Sequence, residues 1–284
     1  KRFQMGEVLV KNIYLFDSSA DFQMGLNFGV PTDIFPLRVY VDEKEFIDKV
    51  TITDEEFYKQ CLSGAKVGTS QPNQEEMREK LLRYSKEYDN VYVVTISQKL
   101  SGTYDTISSI VKNENLKNVH VLDSKSASVK TTYVLYRVIH AAEHGFRITQ
   151  ELVDDFIKES FLIFTVSSLE HLERGGRIGK AKALIGKLLK IKPILSTDEE
   201  GYTVSLDVSR TIDGCIAKMR ELGFKFAQSI ENPIVIGGYG VASMKPHLDK
   251  LLDGFKVHSI ARIGPGIAAH VGPEVFGFVI GGSW

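Results

Sequence analysis

The chain alternates short apolar runs that stop at small polar residues with longer stretches of helical period, and few architectures accept that order. Ile13-Tyr14-Leu15-Phe16 stops at Asp17-Ser18-Ser19, Asn90 to Ile96 stops at Ser97, and Val119 to Leu122 runs into Asp123-Ser124. Runs this short read as buried strands, and strands interleaved with helices specify an α/β unit on a largely parallel sheet. In open sheets of that kind ligands settle at the strand ends, where these polar clusters stand. The helices between them are marked at their starts. Thr53 with Glu56 makes a capping box, Asn73 with Glu76 makes a capping pair before a helix over Gln74 to Tyr88, and a third helix reads from Thr131 to His144.

After Phe161-Leu162-Ile163-Phe164-Thr165-Val166 the pattern changes. Leu169 to Leu189 reads as a helix pair interrupted by Gly175-Gly176, and Ile191 to Leu195 with Tyr202 to Leu206 reads as a hairpin about the acidic turn Asp198-Glu199-Glu200-Gly201. A helix (Thr211 to Leu222), a strand (Pro233 to Gly238), a helix (Lys245 to Leu252) and a strand (Val257 to Arg262) follow. The expectation is an N-terminal parallel-sheet α/β domain over 1–166 and a smaller C-terminal α+β domain over 167–284, with no linker-like composition at the boundary. A length of 284 residues suits two such units.

Charge and cysteine usage exclude several functions. Thirty-five basic residues against 36 acidic ones leave no excess to neutralise a phosphate backbone or an anionic bilayer, so nucleic acid is not an expected partner. Cys61 and Cys215 stand alone, unlike a disulfide framework or zinc knuckle, which suits a reducing cytoplasm. No apolar run is long enough for a membrane span, and no charged-then-apolar leader opens the chain. Met5 is the first candidate start, so residues 1–4 are expected to be a trimmed or appended end.

Four segments carry possible chemistry. Gly68-Thr69-Ser70-Gln71-Pro72-Asn73 either shapes the entry of the helix that follows or gathers hydroxyl and N–H donors into an anion site. Leu100-Ser101-Gly102-Thr103-Tyr104 repeats the arrangement at the end of the next strand, where Gly102 allows close approach of the backbone. Glu173-Arg174-Gly175-Gly176-Arg177-Ile178-Gly179-Lys180 resembles a nucleotide loop and fails its spacing: three residues, not four, separate Gly175 from Gly179-Lys180, and Ala181 follows. Arg177 is then either a surface cap or a guanidinium turned into a cleft. In Ile263 to Pro273, glycines and prolines flank His270, a setting that either buries a core histidine or aims an imidazole at a pocket. An imidazole facing a carboxylate would make binding depend on pH near 6.5, its usual range. His140 and His144 lack a third ligand, so no metal is expected. Gly-x-Ser-x-Gly is absent and no acid is placed to orient His270, which leaves acyl transfer or hydrolysis by Ser101 with His270 as the minor alternative.

Taken in order, Asp17-Ser18-Ser19-Ala20-Asp21, Pro36-Leu37 with Asp48 beyond, Thr69-Ser70-Gln71-Pro72, Ser101-Gly102-Thr103-Tyr104, Gly175-Gly176-Arg177-Ile178, Ile191 to Leu195 and His270-Val271-Gly272-Pro273 resemble the DegV family of bacterial fatty-acid-binding proteins, which includes the lipid-carrier subunit of fatty acid kinase. The resemblance runs from about residue 11 to residue 282. It implies one long-chain fatty acid buried between the two domains, its carboxylate held by Thr69, Ser101, Arg177 and His270, with Ser70, Gly102, Gly176 and Gly272 as supporting loop residues. It implies no catalytic residue and no cofactor in this chain, since a separate kinase subunit would bring ATP and magnesium to form the acyl phosphate. A lipid sensor or store without a kinase is the other non-enzymatic reading. Glu274, where relatives usually carry glycine, would add negative charge near the carboxylate.

Overall fold

The computed structural model describes residues 10–23, 25–184 and 191–284. Its first half runs β1 (Asn12–Asp17), β2 (Thr32–Phe35), β3 (Arg38–Val41), β4 (Lys44–Ile47), α1 (Asp54–Leu62), β5 (Val67–Ser70), α2 (Gln74–Glu87), β6 (Asn90–Thr95), α3 (Thr103–Asn113), β7 (Val119–Asp123), α4 (Ser128–Glu143) and α5 (Gln150–Lys158). Strands β2-β1-β6-β7 form the parallel sheet that the alternation predicts. Its strands carry continuous apolar residues because both faces are covered, α2 and α3 on one side and α4 on the other. The helix starts agree with their caps: Thr53 forms a complete capping box with Glu56, and the Asn73 side chain accepts from the N–H groups of Glu75 and Glu76. The Glu76 carboxylate turns to Arg38 instead, at 2.6 Å.

Strands β3, β4 and β5 were not legible in the sequence. They are four residues each and pair as a small antiparallel sheet, β4-β3-β5, in which Thr69 lies opposite Val39. The Thr69 segment is therefore a strand that leads into a helix cap, rather than a loop.

The second half runs β8 (Ser160–Val166), α6 (Glu170–Arg174), β9 (Lys192–Thr197), β10 (Thr203–Ser209), α7 (Ile212–Ala227), β11 (Pro233–Tyr239), α8 (Lys245–Leu252), β12 (Val257–Arg262), α9 (Pro265–Val271) and β13 (Val275–Gly282). Six of these strands build one mixed sheet, β10-β9-β8-β13-β11-β12, in which only β11 and β12 run parallel. Strand β8, which a boundary after residue 166 leaves with the first unit, is hydrogen-bonded throughout its length to β13.

One expectation is corrected here, and two elements appear that the sequence did not predict. The helix pair over Leu169 to Leu189 reduces to the five-residue α6 and a 3-10 turn over Gly179–Leu184, because Gly176 and Gly179 both take positive φ and interrupt the helical path; Leu189 lies outside the described residues. The small-residue run after Ile263 contains a helix, α9, opened by Pro265 at its first position, where a missing N–H costs nothing. Beyond it, the apolar and glycine-rich β13 occupies the middle of the large sheet.

Helix α4 joins the two sheets. Residues on every side of it are buried, from Val129 to Ala142, and it packs against β1 and β6 of the parallel sheet and against β8, β11 and β13 of the mixed one. One hydrophobic cluster accordingly includes Tyr14 and Val94 from the first sheet together with Leu162, Ile236 and Val279 from the second.

Candidate functional site

A cavity of about 320 Å³ lies between the end of the parallel sheet, the small antiparallel sheet and one face of the mixed sheet. Its floor is made by Phe164, Gly277 and Gly238, neighbours across β8, β13 and β11 in successive registers. Two glycines side by side lower the sheet surface where the cavity runs. A Cβ on Gly238 would stand 3.0 Å from Val129 Cγ1, so a side chain there would have to push that methyl aside. Apolar side chains such as Leu162, Leu172 and Ile267 supply most of the remaining wall.

The structure brings Thr69, Ser101, Arg177 and His270 to this one cavity, together with Ser70 and Gly102. Each comes from a different element: Thr69 from β5, Ser101 from the turn before α3, Arg177 from the turn after α6, His270 from the last turn of α9. Gly176 and Gly272 do not line it. Both take positive φ, at 72° and 83°, in the turns that follow α6 and α9. Glu274 is exposed and borders a different, smaller cavity beside Lys192, so its charge does not sit at the polar end of the large one.

The contacts define what each group can still do. Thr69 Oγ1 and His270 Nε2 are 2.6 Å apart, 201 positions distant in sequence. His270 Nδ1 is buried and has no hydrogen-bond partner among the described residues. Burial, with the Arg177 and Arg174 guanidinium groups and His171 nearby, pushes the imidazole down to about 4, so it is neutral at physiological pH. In the ligand-free protein the ring is thus held neutral through the range near 6.5 in which an ordinary imidazole titrates. A neutral ring carries one proton, and placing it on Nδ1 would bury an unpaired donor beside two cations. With the proton on Nε2 the ring would donate to Thr69 Oγ1, and the threonine O–H would then be free to donate to an acceptor in the cavity.

Arg177 donates from Nε to the carbonyl of Leu100 at 3.0 Å and from a terminal nitrogen to the carbonyl of Gly175. It thus ties the Ser101 turn to the α6 turn and still holds unused donors. Ser101 Oγ is 2.9 Å from Thr103 Oγ1 and accepts from the Thr103 N–H, which places it at the start of α3. It is not hydrogen-bonded to His270, and the ring has no carboxylate behind it, so the pairing needed for a serine nucleophile is not formed. The described residues include no group of histidine, cysteine and acidic side chains that could hold a metal ion.

The sequence marked Gly175 as a break in a helix and not for its place against His270. An added methyl there would collide with His270 Nδ1 and approach the His171 carbonyl to 3.2 Å, so the ring occupies the space a side chain would need. Sequence reasoning missed Gln71, which lines the cavity and accepts from Thr106 Oγ1 at 2.8 Å.

Comparison with known proteins gives a consistent set of matches. The profile of the DegV family, described as a family of uncharacterised proteins, matches residues 15–281. A DegV domain-containing protein of Staphylococcus aureus is 30% identical over 281 residues, covering 96% of this chain and 99% of that protein. Among solved structures, a DegV family protein of Thermus thermophilus described by its fatty acid binding superposes with a TM-score of 0.86 at 27% identity, covering 96% of this chain and 100% of the other. A stearic-acid-binding protein of Eubacterium ventriosum superposes with a TM-score of 0.80 at 25% identity, covering 94% and 97%.

Proposed function

Because the chain belongs to the DegV family, we propose that it binds one long-chain fatty acid, with the carboxylate at Thr69 and His270 and the acyl chain along the glycine-lowered floor. One observation carries this reading above the rest: Thr69 and His270, hydrogen-bonded to each other, line together with Ser101 and Arg177 a cavity whose walls are otherwise mostly apolar. Relatives described as binding fatty acids, stearic acid among them, support the ligand class. The energetics agree. Burying an acyl chain of about sixteen carbons gains on the order of 12 kcal/mol gross, at roughly 0.8 kcal/mol per methylene. A carboxylate stripped of water opposes that gain unless donors receive it, and the Thr69 hydroxyl, the Ser101 hydroxyl and the spare N–H groups of Arg177 are of the right kind.

We propose further that the chain is a carrier and not itself an enzyme, presenting the carboxylate to a separate cytoplasmic kinase for conversion to an acyl phosphate. The failed nucleotide-loop spacing at Gly175 to Lys180 supports this, since the phosphate donor and its magnesium must then come with the partner. No helix among the described residues is long and apolar enough to cross a membrane.

Organic extraction of the purified protein followed by mass spectrometry tests the ligand class. A long-chain fatty acid in near-stoichiometric amount is expected; protein that yields no lipid and binds no added fatty acid overturns the reading. The carrier role is tested separately by supplying the loaded protein and ATP to a fatty acid kinase subunit. Acyl phosphate should form only with the loaded protein, and turnover of an acyl ester by this chain alone would instead favour the hydrolytic alternative.

A further inference from the structure

Asp21 lies outside the cavity, and its side chain is completely buried four positions after β1 ends. Its carboxylate is nevertheless bonded to the starts of two cavity helices at once. Oδ1 accepts from the Gly264 N–H at 2.9 Å and pairs with Lys49 Nζ at 3.2 Å, while Oδ2 accepts from Ser128 Oγ at 2.7 Å. Its own carbonyl accepts from Thr132 Oγ1 at 2.7 Å, one turn further along α4. Gly264 precedes α9 and Ser128 begins α4, and neither helix has a side-chain cap from its own N-cap residue. Ser128 adopts a φ of 55°, a strained conformation for a residue with a Cβ, and it is held there by its hydroxyl on Asp21 and its N–H on the Ser19 carbonyl at 3.1 Å. The Gly264 N–H would be a buried unpaired donor without Asp21, 243 positions away in sequence.

From these contacts we infer that Asp21 is a positioning residue for the head-group site: by fixing where α9 starts, it sets the His270 ring against Thr69, and it anchors the α4 end that lines the same cavity. The inference rests on the fatty-acid reading for its consequence in binding, and on geometry alone for its effect on the ring. Helix α9 spans seven residues with His270 next to last, so an error in direction at Gly264 is carried to the imidazole along a stiff rod. A hydrogen bond as short as that between His270 and Thr69 tolerates little of it. The carboxylate cannot be exchanged freely for another group, because both oxygens and a nearby ammonium are engaged.

The experiment compares Asp21→Asn, which keeps shape and one acceptor oxygen, with Asp21→Ala, which keeps neither, each alone and combined with His270→Gln. Binding of labelled oleate should fall by about tenfold or more in Asp21→Ala and severalfold in Asp21→Asn, with the far-ultraviolet circular dichroism unchanged. In ligand-free protein both variants should shift the ring ¹⁵N signals of His270. In the His270→Gln background the effect of Asp21→Asn should shrink to below about twofold, the non-additivity of two residues acting through one contact. Should Asp21→Ala fail to fold, the isosteric Asp21→Asn carries the comparison. Unchanged ring signals, or equal losses of affinity in both backgrounds, would overturn the inference. If the parent itself binds no oleate, the fatty-acid reading fails, while the ring signals of ligand-free Asp21→Asn still decide the role of Asp21.

Discussion

Thr69 Oγ1 lies 2.6 Å from His270 Nε2 on the cavity wall, where its hydroxyl can meet a carboxylate, so removing it should be felt directly. Thr69→Ala is expected to lower fatty-acid affinity about ten- to a hundredfold, the loss of one hydrogen bond to a charged group at roughly 1.5 to 3 kcal/mol, with the fold retained. Ser101→Ala should cost a similar factor plus some stability, because that hydroxyl also receives the Thr103 N–H. Titration with a fluorescent fatty acid measures both, and parent-like affinity in the two variants would remove the head group from this end of the cavity. Arg177 has donors beyond those spent on Leu100 and Gly175, and added negative charge would engage them most strongly. Arg177→Ala should therefore reduce acyl phosphate formation more than binding, and equal losses would make it a binding or structural residue. The sign of the His270 effect follows from its folded-state value of about 4 against an unfolded value near 6.5. Between those values the unfolded chain takes up a proton that the folded protein refuses, so this stability is complete above about 6.5 and is lost as pH falls toward 4. The drop in melting temperature between about pH 7 and 5 should be smaller in His270→Gln than in the parent, and identical profiles would show the ring is not held in a desolvated place.

At the scale of elements, α4 is the part whose loss reaches both sheets. Leu135 is fully buried in the cluster it shares with them, and Leu135→Ala should destabilise the protein by about 2 to 5 kcal/mol in denaturant unfolding. A cost below about 1 kcal/mol would mean that the helix packs more loosely than the structure shows. The sequence makes α4 readable through its length and the strands that flank it, and it makes the parallel sheet readable through β1, β6 and β7, whose apolar runs end at Asp17, Ser97 and Asp123. It hides the elements that finish the site. Strand β5 is four residues with Gly68 inside it, too short to show alternation, and its pairing with β3 is a contact no local pattern announces. Helix α9 hides behind Pro265-Gly266, which read as turn residues, although proline suits the first position of a helix. The identities of Thr69, Ser101, Arg177 and His270 were legible as segments of special composition. Their convergence came only from the family resemblance and from no local pattern, and Gly175 was legible as an interruption of a helix but not as the space left for the His270 ring.

In the whole molecule, the last strand is central to the larger sheet. β13 lies between β8 and β11, so the mixed sheet closes only when the end of the chain is inserted next to a strand from its middle. Pairings so distant in sequence slow folding, and the second sheet should assemble after the first. The two sheets nonetheless share α4, and this has a consequence for traffic into and out of the cavity. A molecule whose halves meet at a flexible seam can trade its cargo by swinging apart like a clamshell; this one has a common spine through both halves, and swinging would expose the packed flanks of that spine to water. Were the cavity to carry a fatty acid, its exchange would be expected to proceed by local loosening at the rim, as through a valve in a stiff vessel. Release of a bound fluorescent fatty acid to acceptor vesicles should accordingly be unchanged when the parallel and mixed sheets are covalently bridged at a site remote from the cavity. A bridge that stopped release would reveal a hinge that the shared helix does not permit.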